Sequence, residues 1–198
     1  MQVIDEKKRS KILSTAAELF ATQPFHKVLL SEVAEAAGVG KGTLYVYFKS
    51  KDDLYLSVLY SGFNQLLGRL RQKINENDNG AMANLEAVIC ELVGFAYQNP
   101  HLFELMRTVT WRQANANDRW VCQRAEFRGL VEAVIQRGIK TGEFHDPHPE
   151  LTARFIPSMV RSVLMEGPHF MEQRTLQEHV LHFTRTALCG GTVSPKIV

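Results

Sequence analysis

The stretch GVGKGTLYVYFKSKDDL, residues 38–54, sets a two-glycine turn directly before three closely spaced aromatic residues and a lysine-rich step. Gly38 allows the chain to turn with a positive φ angle, which other residues adopt only with strain. Small apolar residues such as Ala37 and Val39 suit two short helices that pack closely at a steep angle. We therefore predict a helix-turn-helix over residues 31–48.

The second helix of this unit has one apolar face and one unusual face. At about 100° per residue, Leu44 and Phe48 fall on the same side and point inward. The opposite side carries glycine, threonine, valine and tyrosine instead of the usual glutamates and lysines. Hydroxyl groups can bond phosphates or base edges, and valine can touch a thymine methyl group, so this face fits a DNA major groove. The candidate DNA contacts are Lys41, Gly42, Thr43, Tyr45, Val46, Tyr47 and Lys51.

An alternative assigns the three aromatic residues to the core of a small helical bundle. The helical phase favours this alternative for Phe48. We favour the DNA-facing role for both Tyr45 and Tyr47, of which Tyr47 lies nearer the packed side. Gly40 stands at the N-cap position of the helix, where glycine is tolerated but gives no side-chain hydrogen bond.

The run VAEAAGVGKGTLYVYFKSKDDL, residues 33–54, resembles the signature of the TetR family of bacterial transcriptional regulators, whose pattern is close to IAxxAGVSxGTxYxYFxxKxxL. The resemblance covers about residues 6–66. It implies three N-terminal helices that bind DNA, followed by a variable helical domain that binds an inducer and dimerises. It also implies that residues 41–47 lie in the DNA-reading helix and that Lys51 contacts a phosphate.

Three departures from the family pattern stand close to this signature. Gly40 replaces the commoner serine, and Pro24 replaces the usual glycine after the first helix. Residues 28–30 (Val-Leu-Leu) replace the usual hydroxyl-bearing residues before the second helix. Ser31 is then the nearby hydroxyl, and two roles stay open for it: a cap of the second helix or a DNA contact.

Helical periodicity continues along the rest of the chain, and strand alternation is essentially absent. The sequence therefore predicts an all-α fold. Residues 1–50 form the helix-turn-helix domain, residues 51–190 form a helical ligand-binding and dimerisation domain, and residues 191–198 form a loose tail. The predicted helices of the second domain cover about 51–74, 82–98, 101–111, 117–140, 149–167 and 172–189.

Composition places the chain among soluble globular proteins. Of its 198 residues 45% are apolar and 22% are charged. No apolar run approaches the roughly eighteen residues that a membrane span requires. The start of the chain lacks the apolar core of a secretory signal, so we expect a cytoplasmic protein without a membrane partner. Residues 1–51 carry a net charge of +3, whereas the remainder carries −1, which favours a polyanion partner at the N-terminal end.

Two late helices carry more apolar surface than a single core needs. The helix predicted at 149–167 has two apolar stripes, and the last helix has another, so one stripe is expected to meet a second copy of the chain. A dimer also suits DNA reading, because two copies one helical turn apart bind a palindromic site with useful affinity. The predicted dimer residues are Phe155, Met159, Val163, Leu176, Val180 and Phe183.

Bulky side chains are concentrated in the middle helices, which is typical of a pocket for a partly apolar small molecule. Each of them also fits an ordinary core or surface position. Arg107 among them faces either an anionic ligand or solvent. The predicted pocket residues are Phe103, Met106, Arg107, Trp111, Trp120 and Phe127.

The sequence predicts neither a metal nor a cofactor. Two histidine pairs are spaced three residues apart, His145 with His148 around a DPHP loop and His179 with His182, and we expect neither to bind a metal. The three cysteines are far apart and form no CxxC pair. Phosphate loops, nucleophile elbows and carboxylate–histidine clusters are missing, so an enzyme is disfavoured.

These observations favour a sequence-specific transcriptional regulator, a dimeric repressor that a small-molecule ligand releases from a palindromic operator. The alternative is a ligand-independent or architectural DNA-binding protein. Such a protein binds mainly through charge, and a net +3 at the DNA-binding end is small for that purpose.

Overall fold

The computed structural model describes residues 5–76, 80–99, 118–164, 166 and 171–190, and within these ranges all regular structure is helical. The predicted all-α fold is confirmed. The helix predicted at 101–111 and the tail at 191–198 lie outside the described residues. The described helices are α1 (Glu6–Thr22), α2 (Leu30–Ala36), α3 (Lys41–Tyr47), α4 (Lys51–Glu76), α5 (Ala81–Gln98), α6 (Asp118–Thr141), α7 (Pro149–Leu164) and α8 (Gln173–Cys189).

The chain divides into two compact units. The first holds residues 1–65 and 99–120, and the second holds residues 66–98 and 121–198. The division therefore falls inside α4. The reason is that the start of α4 supplies buried side chains, Leu54 among them, to the first unit.

In the first unit, α2 packs on both α1 and α3, and an aromatic cluster joins α1 to α4. The Tyr55 ring meets Phe20 and Phe25 edge-on, with centroid distances of 5.0 and 4.7 Å. Ile12 and Ala16 on the same face of α1 are fully buried. Burial of this apolar face holds helices together that are too short to be stable alone.

The ends of α2 explain the turn that the two glycines predict. The N-cap residue is Leu29, whose amide N–H donates to the Glu32 carboxylate at 3.1 Å. Ser31 lies exposed within the first turn and is not the N-cap, which removes the capping role from the two that the sequence left open for it. At the other end Gly38 has a φ of +67°, and the Val39 amide donates to the Ala34 carbonyl at 2.9 Å.

The lysine-rich step after α3 is a helix cap. The Asp53 amide donates to the Ser50 hydroxyl at 3.1 Å, and the Asp53 carboxylate accepts the Lys49 amide N–H at 2.8 Å. This pair of bonds is similar to a capping box, except that the carboxylate accepts the amide of the residue before the N-cap Ser50. Three residues separate the end of α3 from the start of α4.

Lys51 ties the start of α4 to the connection between α1 and α2. Its ammonium donates to the carbonyls of Phe25 and Val28 at 2.8 and 3.1 Å, with the His26 carbonyl at 3.4 Å. The same nitrogen lies 4.5 Å from the centroid of the Phe25 ring. An ammonium has three donors, and here they face backbone carbonyls that the irregular connection presents.

In the second unit, α5 packs on α7 and α8, which also pack on each other. The inner stripe of α7 is buried at Ala153, Ile156, Val160 and Leu164. This confirms that one of the two stripes predicted on this helix is core. Pro157 lies inside α7 and has no amide N–H to donate to the Ala153 carbonyl.

Glu143, in the connection after α6, caps the first turn of α5. Its carboxylate accepts the Ala81 amide N–H at 3.0 Å, the Met82 amide N–H at 3.1 Å and the Thr141 hydroxyl at 2.9 Å. The two backbone bonds, followed by the Thr141 bond, lower the pKa of Glu143 below its ordinary value. A negative charge at a helix N-terminus is also stabilised by the helix dipole.

We expect Glu143→Gln to lower the melting temperature at pH 7 by roughly 2–4 °C, because it removes a charged cap of α5. Because the pKa of Glu143 is lowered in the folded state, its carboxylate stabilises the fold at pH values above the ordinary glutamate pKa of about 4.3. That stability is lost as pH falls through the lowered pKa, so the difference from wild type should close in acid. Melting curves from about pH 7 to pH 3 test this sign.

Glu86→Gln, an exposed position on α5, is the matched control and should change the melting temperature little at any pH. A Glu143→Gln deficit that stays constant down to pH 3 would show that the carboxylate charge does not act as the cap.

Candidate nucleic-acid interface

The inner face of α3 is fixed by two buried side chains. Leu44 and Phe48 have 0% and 1% of their surface exposed, as the helical phase predicts. Gly40 is the N-cap and makes no side-chain hydrogen bond. The Phe48 amide closes the helix by donating to the Leu44 carbonyl at 3.0 Å. Packing of these two residues, and not the cap, therefore decides which face of α3 points outward.

The outward face of α3 is apolar and hydroxyl-bearing. Tyr45 and Val46 expose 48% and 51% of their surface, and Lys41 and Thr43 are exposed beside them. The core alternative for Tyr45 is therefore wrong, while for Phe48 it is confirmed. An aromatic ring, a branched side chain and hydroxyl groups together can contact base edges and phosphates of a duplex.

Packing against the described residues does not require glycine at position 42. A Cβ atom built on it would meet nothing within 4 Å, and its φ is not in the left-handed region. Alanine in its place would be favoured by up to about 1 kcal/mol in a helix. The absence of a Cβ at this position allows a duplex to approach the helix backbone closely.

Tyr47 joins the end of α3 to the start of α1. Its hydroxyl oxygen accepts the Asp5 amide N–H at 3.2 Å, and the Asp5 carboxylate caps α1 by accepting the Lys7 amide at 2.9 Å. The Tyr47 side chain is half-buried, which is less than the core alternative requires and more than a fully DNA-facing side chain shows. The hydroxyl keeps its own hydrogen as a donor, so this residue can both pin α1 and bond a phosphate.

The structure uses Lys51 differently from the predicted phosphate contact. Its three donors face the carbonyls of the α1–α2 connection, and a phosphate contact would have to break those bonds. Lys51 thus positions α2 and α4, and we do not retain it among the DNA contacts. Ser31 is exposed on α2, and a DNA contact is the role that stays predicted for it.

Sequence reasoning missed the lysines in the first turn of α1. Lys7 and Lys8 are exposed, and the Asp5–Tyr47 hydrogen bond holds this turn at the C-terminal end of α3. The Lys8 ammonium lies 3.8 Å from the exposed Asp5 carboxylate, a weak surface pair. The charge run at the start of the chain was the available signal, but it did not show that α1 begins beside α3.

The predicted dimer residues separate into three groups by their exposure. Leu176 and Val180 are 2% and 3% exposed, because the inner face of α8 packs within the second unit, so their assignment to a dimer interface is wrong. Phe155 and Phe183 are 58% and 55% exposed. The partly exposed residues of the same prediction are Met159 and Val163.

Of the predicted pocket residues, Phe127 is described, and it is buried in α6. Phe103, Met106, Arg107 and Trp111 lie outside the described residues, as does the side chain of Trp120. Within the described ranges, no three His, Cys, Asp or Glu side chains are grouped to hold a metal ion. None of the helices described is long and apolar enough to cross a membrane.

Comparison with known families gives two matches along the chain. The profile described as "Bacterial regulatory proteins, tetR family" matches residues 12–58, which include α2, α3 and the start of α4. The profile described as "Tetracyclin repressor-like, C-terminal domain" matches residues 78–165.

Curated relatives cover most of the chain. The Fatty acid metabolism regulator protein of Bacillus subtilis is 26% identical over 141 residues, which is 70% of this chain and 72% of that protein. The HTH-type transcriptional repressor KstR2 of Rhodococcus jostii is 29% identical over 75% of this chain and 74% of its own length. The HTH-type transcriptional regulator YhgD of Bacillus subtilis is 30% identical over 76% of this chain and 78% of its own length.

Solved structures share the fold. The transcriptional regulator FadR from Bacillus subtilis, in complex with stearoyl-CoA, superposes with a TM-score of 0.78 at 20% identity, over 90% of this chain and 98% of that one. A fatty acid degradation regulator FadR from Bacillus halodurans gives a TM-score of 0.77 at 19% identity, over 92% and 96%. With both domains of the family matched and the helix-turn-helix in place, the chain belongs to the TetR family of DNA-binding transcriptional regulators, which are not enzymes.

Proposed function

We propose that this regulator is a dimeric repressor that binds a palindromic operator through α3 and is released from it by a small-molecule ligand. The observation that carries the DNA half is the outward face of α3. It exposes Tyr45 and Val46 and contains a glycine, Gly42, that packing does not require. A solvated helix rarely presents such a surface.

The proposed DNA contacts follow from what each side chain can do. Gly42, Thr43, Tyr45 and Val46 face base edges, where shape, hydroxyl bonding and methyl contact discriminate sequence. Other residues contact phosphates, and these contacts position the protein without reading sequence. The residues proposed for this role are Ser31, Lys41 and Tyr47. The protein is expected to act in the cytoplasm, where its operator lies.

The proposed dimer forms on the outer faces of α7 and α8. Phe155 and Phe183 are large, apolar and more than half exposed, and Leu151 adds a further 42% exposed side chain on α7. Exposed apolar surface on two helices that pack together is typical of an interface between copies. Met159 and Val163 extend this surface, while Leu176 and Val180 belong to the core beneath it.

The first ligands to test are acyl-coenzyme A thioesters. A relative that covers 70% of this chain is a fatty acid metabolism regulator, and a solved structure of the same fold holds stearoyl-CoA. A long acyl chain also agrees with the partly apolar effector that the sequence predicts. Release requires that the ligand bind the DNA-free state more tightly than the DNA-bound state.

The experiment that tests this function is selection of bound duplexes from a random DNA pool with purified full-length protein, near 0.15 M salt. A recovered palindrome supports the dimeric regulator. A common sequence without two-fold symmetry contradicts the dimeric reading. Bound DNA without any common sequence favours the architectural alternative. Stearoyl-CoA, added to the recovered complex, should release the protein, and unchanged binding would exclude that ligand.

We expect Gly42→Ala to separate stability from DNA binding. The added methyl group should stabilise α3 by up to about 1 kcal/mol, which thermal melting detects. It should weaken operator binding by on the order of tenfold, because it displaces base contacts worth about 1–3 kcal/mol each. Gly68→Ala, at an exposed glycine of α4 with equal space around it, is the control. That control should stabilise the protein and leave operator affinity unchanged, and equal affinity for both variants would remove Gly42 from the interface.

We expect Lys51→Met to lower the melting temperature while the salt dependence of DNA binding stays unchanged. The variant keeps the apolar stem but leaves the Phe25 and Val28 carbonyls without their donor. An exposed lysine on α3 gives the opposite result: Lys41→Met should reduce the slope of log K against log salt by about one and leave stability intact. Binding titrations at several salt concentrations measure both slopes. A reduced slope for Lys51→Met would restore it as a phosphate contact.

We expect Phe155→Glu to dissociate the dimer. A charge at the centre of an apolar interface typically removes at least about 2 kcal/mol, or roughly thirtyfold in the dimer dissociation constant. Light scattering at micromolar protein measures the mass, and operator affinity should fall with it. Val121→Glu, at a 45% exposed position on α6, should stay dimeric. A dimeric Phe155→Glu variant would place the interface elsewhere.

A further inference from the structure

A polar cavity lies in the first unit, and none of the residues that line it is among the proposed DNA contacts. Its volume is about 270 Å³. Its described lining comes from α1, α4 and the start of α6. The lining residues are Arg9, Ser57, Ser61, Asn64, Gln65 and Arg119.

The lining combines two guanidinium groups with neutral hydrogen-bonding side chains. The four neutral residues recur on α4 with the spacing of a single helix face, from Ser57 to Gln65, and Ser57 is buried. No carboxylate belongs to the described lining. Guanidinium groups bind phosphate and carboxylate oxygens in pairs, and hydroxyl and amide groups satisfy the remaining oxygens.

Both arginines stack on aromatic rings of the first unit. The Arg9 guanidinium carbon lies 5.7 Å from the centroid of Phe48, and that of Arg119 lies 5.2 Å from the centroid of Tyr60. Stacking restrains these long side chains, which reduces the entropy that an anion must offset when it binds.

We propose that this cavity binds a small oxyanion, a phosphorylated or carboxylated metabolite, and that its occupancy weakens operator binding. The volume is slightly below the usual 300–1,000 Å³ of small-molecule pockets, so the ligand is small. The binding half of the proposal is independent of the proposed function. The regulatory half rests on it.

The regulatory half follows from where Arg9 stands. Arg9 lines the cavity and also lies over Phe48, the residue that ends α3. The helix that carries Arg9 is capped by Asp5, whose amide N–H donates to the Tyr47 hydroxyl of α3. An anion in this cavity places negative charge in the unit that must approach DNA phosphates. It also binds Arg9, whose contact with Phe48 belongs to the packing that orients α3.

Binding is tested first, on the full-length protein without DNA. Inorganic phosphate, pyrophosphate and citrate are titrated at constant ionic strength against a chloride reference, by calorimetry and by thermal shift. We expect saturable binding of at least one probe, and phosphate against citrate distinguishes the two oxyanion classes. Arg119→Gln should weaken that binding at least tenfold, whereas Arg185→Gln, at an exposed arginine of α8, should leave it unchanged.

Ser61→Leu is the second variant, because it fills the cavity without altering either arginine. It should also abolish binding, with helix content preserved in circular dichroism. Absence of saturable binding for all three probes overturns the proposal. Binding that survives both Arg119→Gln and Ser61→Leu overturns it as well, since the anion then sits elsewhere.

The regulatory half is tested on the operator recovered by selection, again at constant ionic strength. Saturating anion should reduce operator affinity about tenfold in the wild type, and Arg119→Gln should retain operator binding but lose this response. Unchanged affinity in the anion-bound wild type overturns the regulatory half. If selection recovers no operator, the proposed function fails, while calorimetry still decides whether the site exists.

Discussion

A helix of seven residues cannot persist in water on its own hydrogen bonds, so α3 depends on the burial of Leu44 and Phe48. Those two side chains fix the rotation of α3 about its axis, and that rotation decides which residues meet a partner. Two features of the first unit position α3 for this contact. The positive φ of Gly38 turns the chain after α2, and the Ser50–Asp53 cap begins α4 immediately after α3.

Two polar residues of the signature contribute to this frame as well as standing close to the interface. Lys51 satisfies carbonyls in the connection that precedes α2, and Tyr47 accepts the amide at the start of α1. The loss of such a residue would disturb both the packing of the first unit and the surface that faces DNA. The Lys51 and Gly42 variants separate these reasons, because one acts through stability and the other through the surface.

Local patterns in the sequence were sufficient for the described helices and for the phase of α3. Leu44 and Phe48 are one helical turn apart, so their common face follows from spacing alone. The use of Lys51 did not follow, because its carbonyl partners lie 23 to 26 residues earlier in the chain. The Glu143 cap was also hidden, since its donors on α5 are 61 and 62 residues away. Contacts of this range depend on the packed structure and leave no local pattern.

The error at Leu176 and Val180 has a related cause. Leu176 and Phe183 are seven residues apart and so lie almost on one face of α8, yet the first is buried and the second is 55% exposed. Neighbouring helices cover one part of this face and leave the other, which periodicity cannot distinguish. The residue types differ between the exposed surface of α7 and α8 and the exposed face of α3. Phenylalanines at 155 and 183 offer no hydrogen bonds to water and are best covered permanently, as by a second copy of the chain. The hydroxyl groups of threonine and tyrosine on α3 can hydrogen-bond to water when no partner covers them. This suits a surface that must bind DNA and release it again.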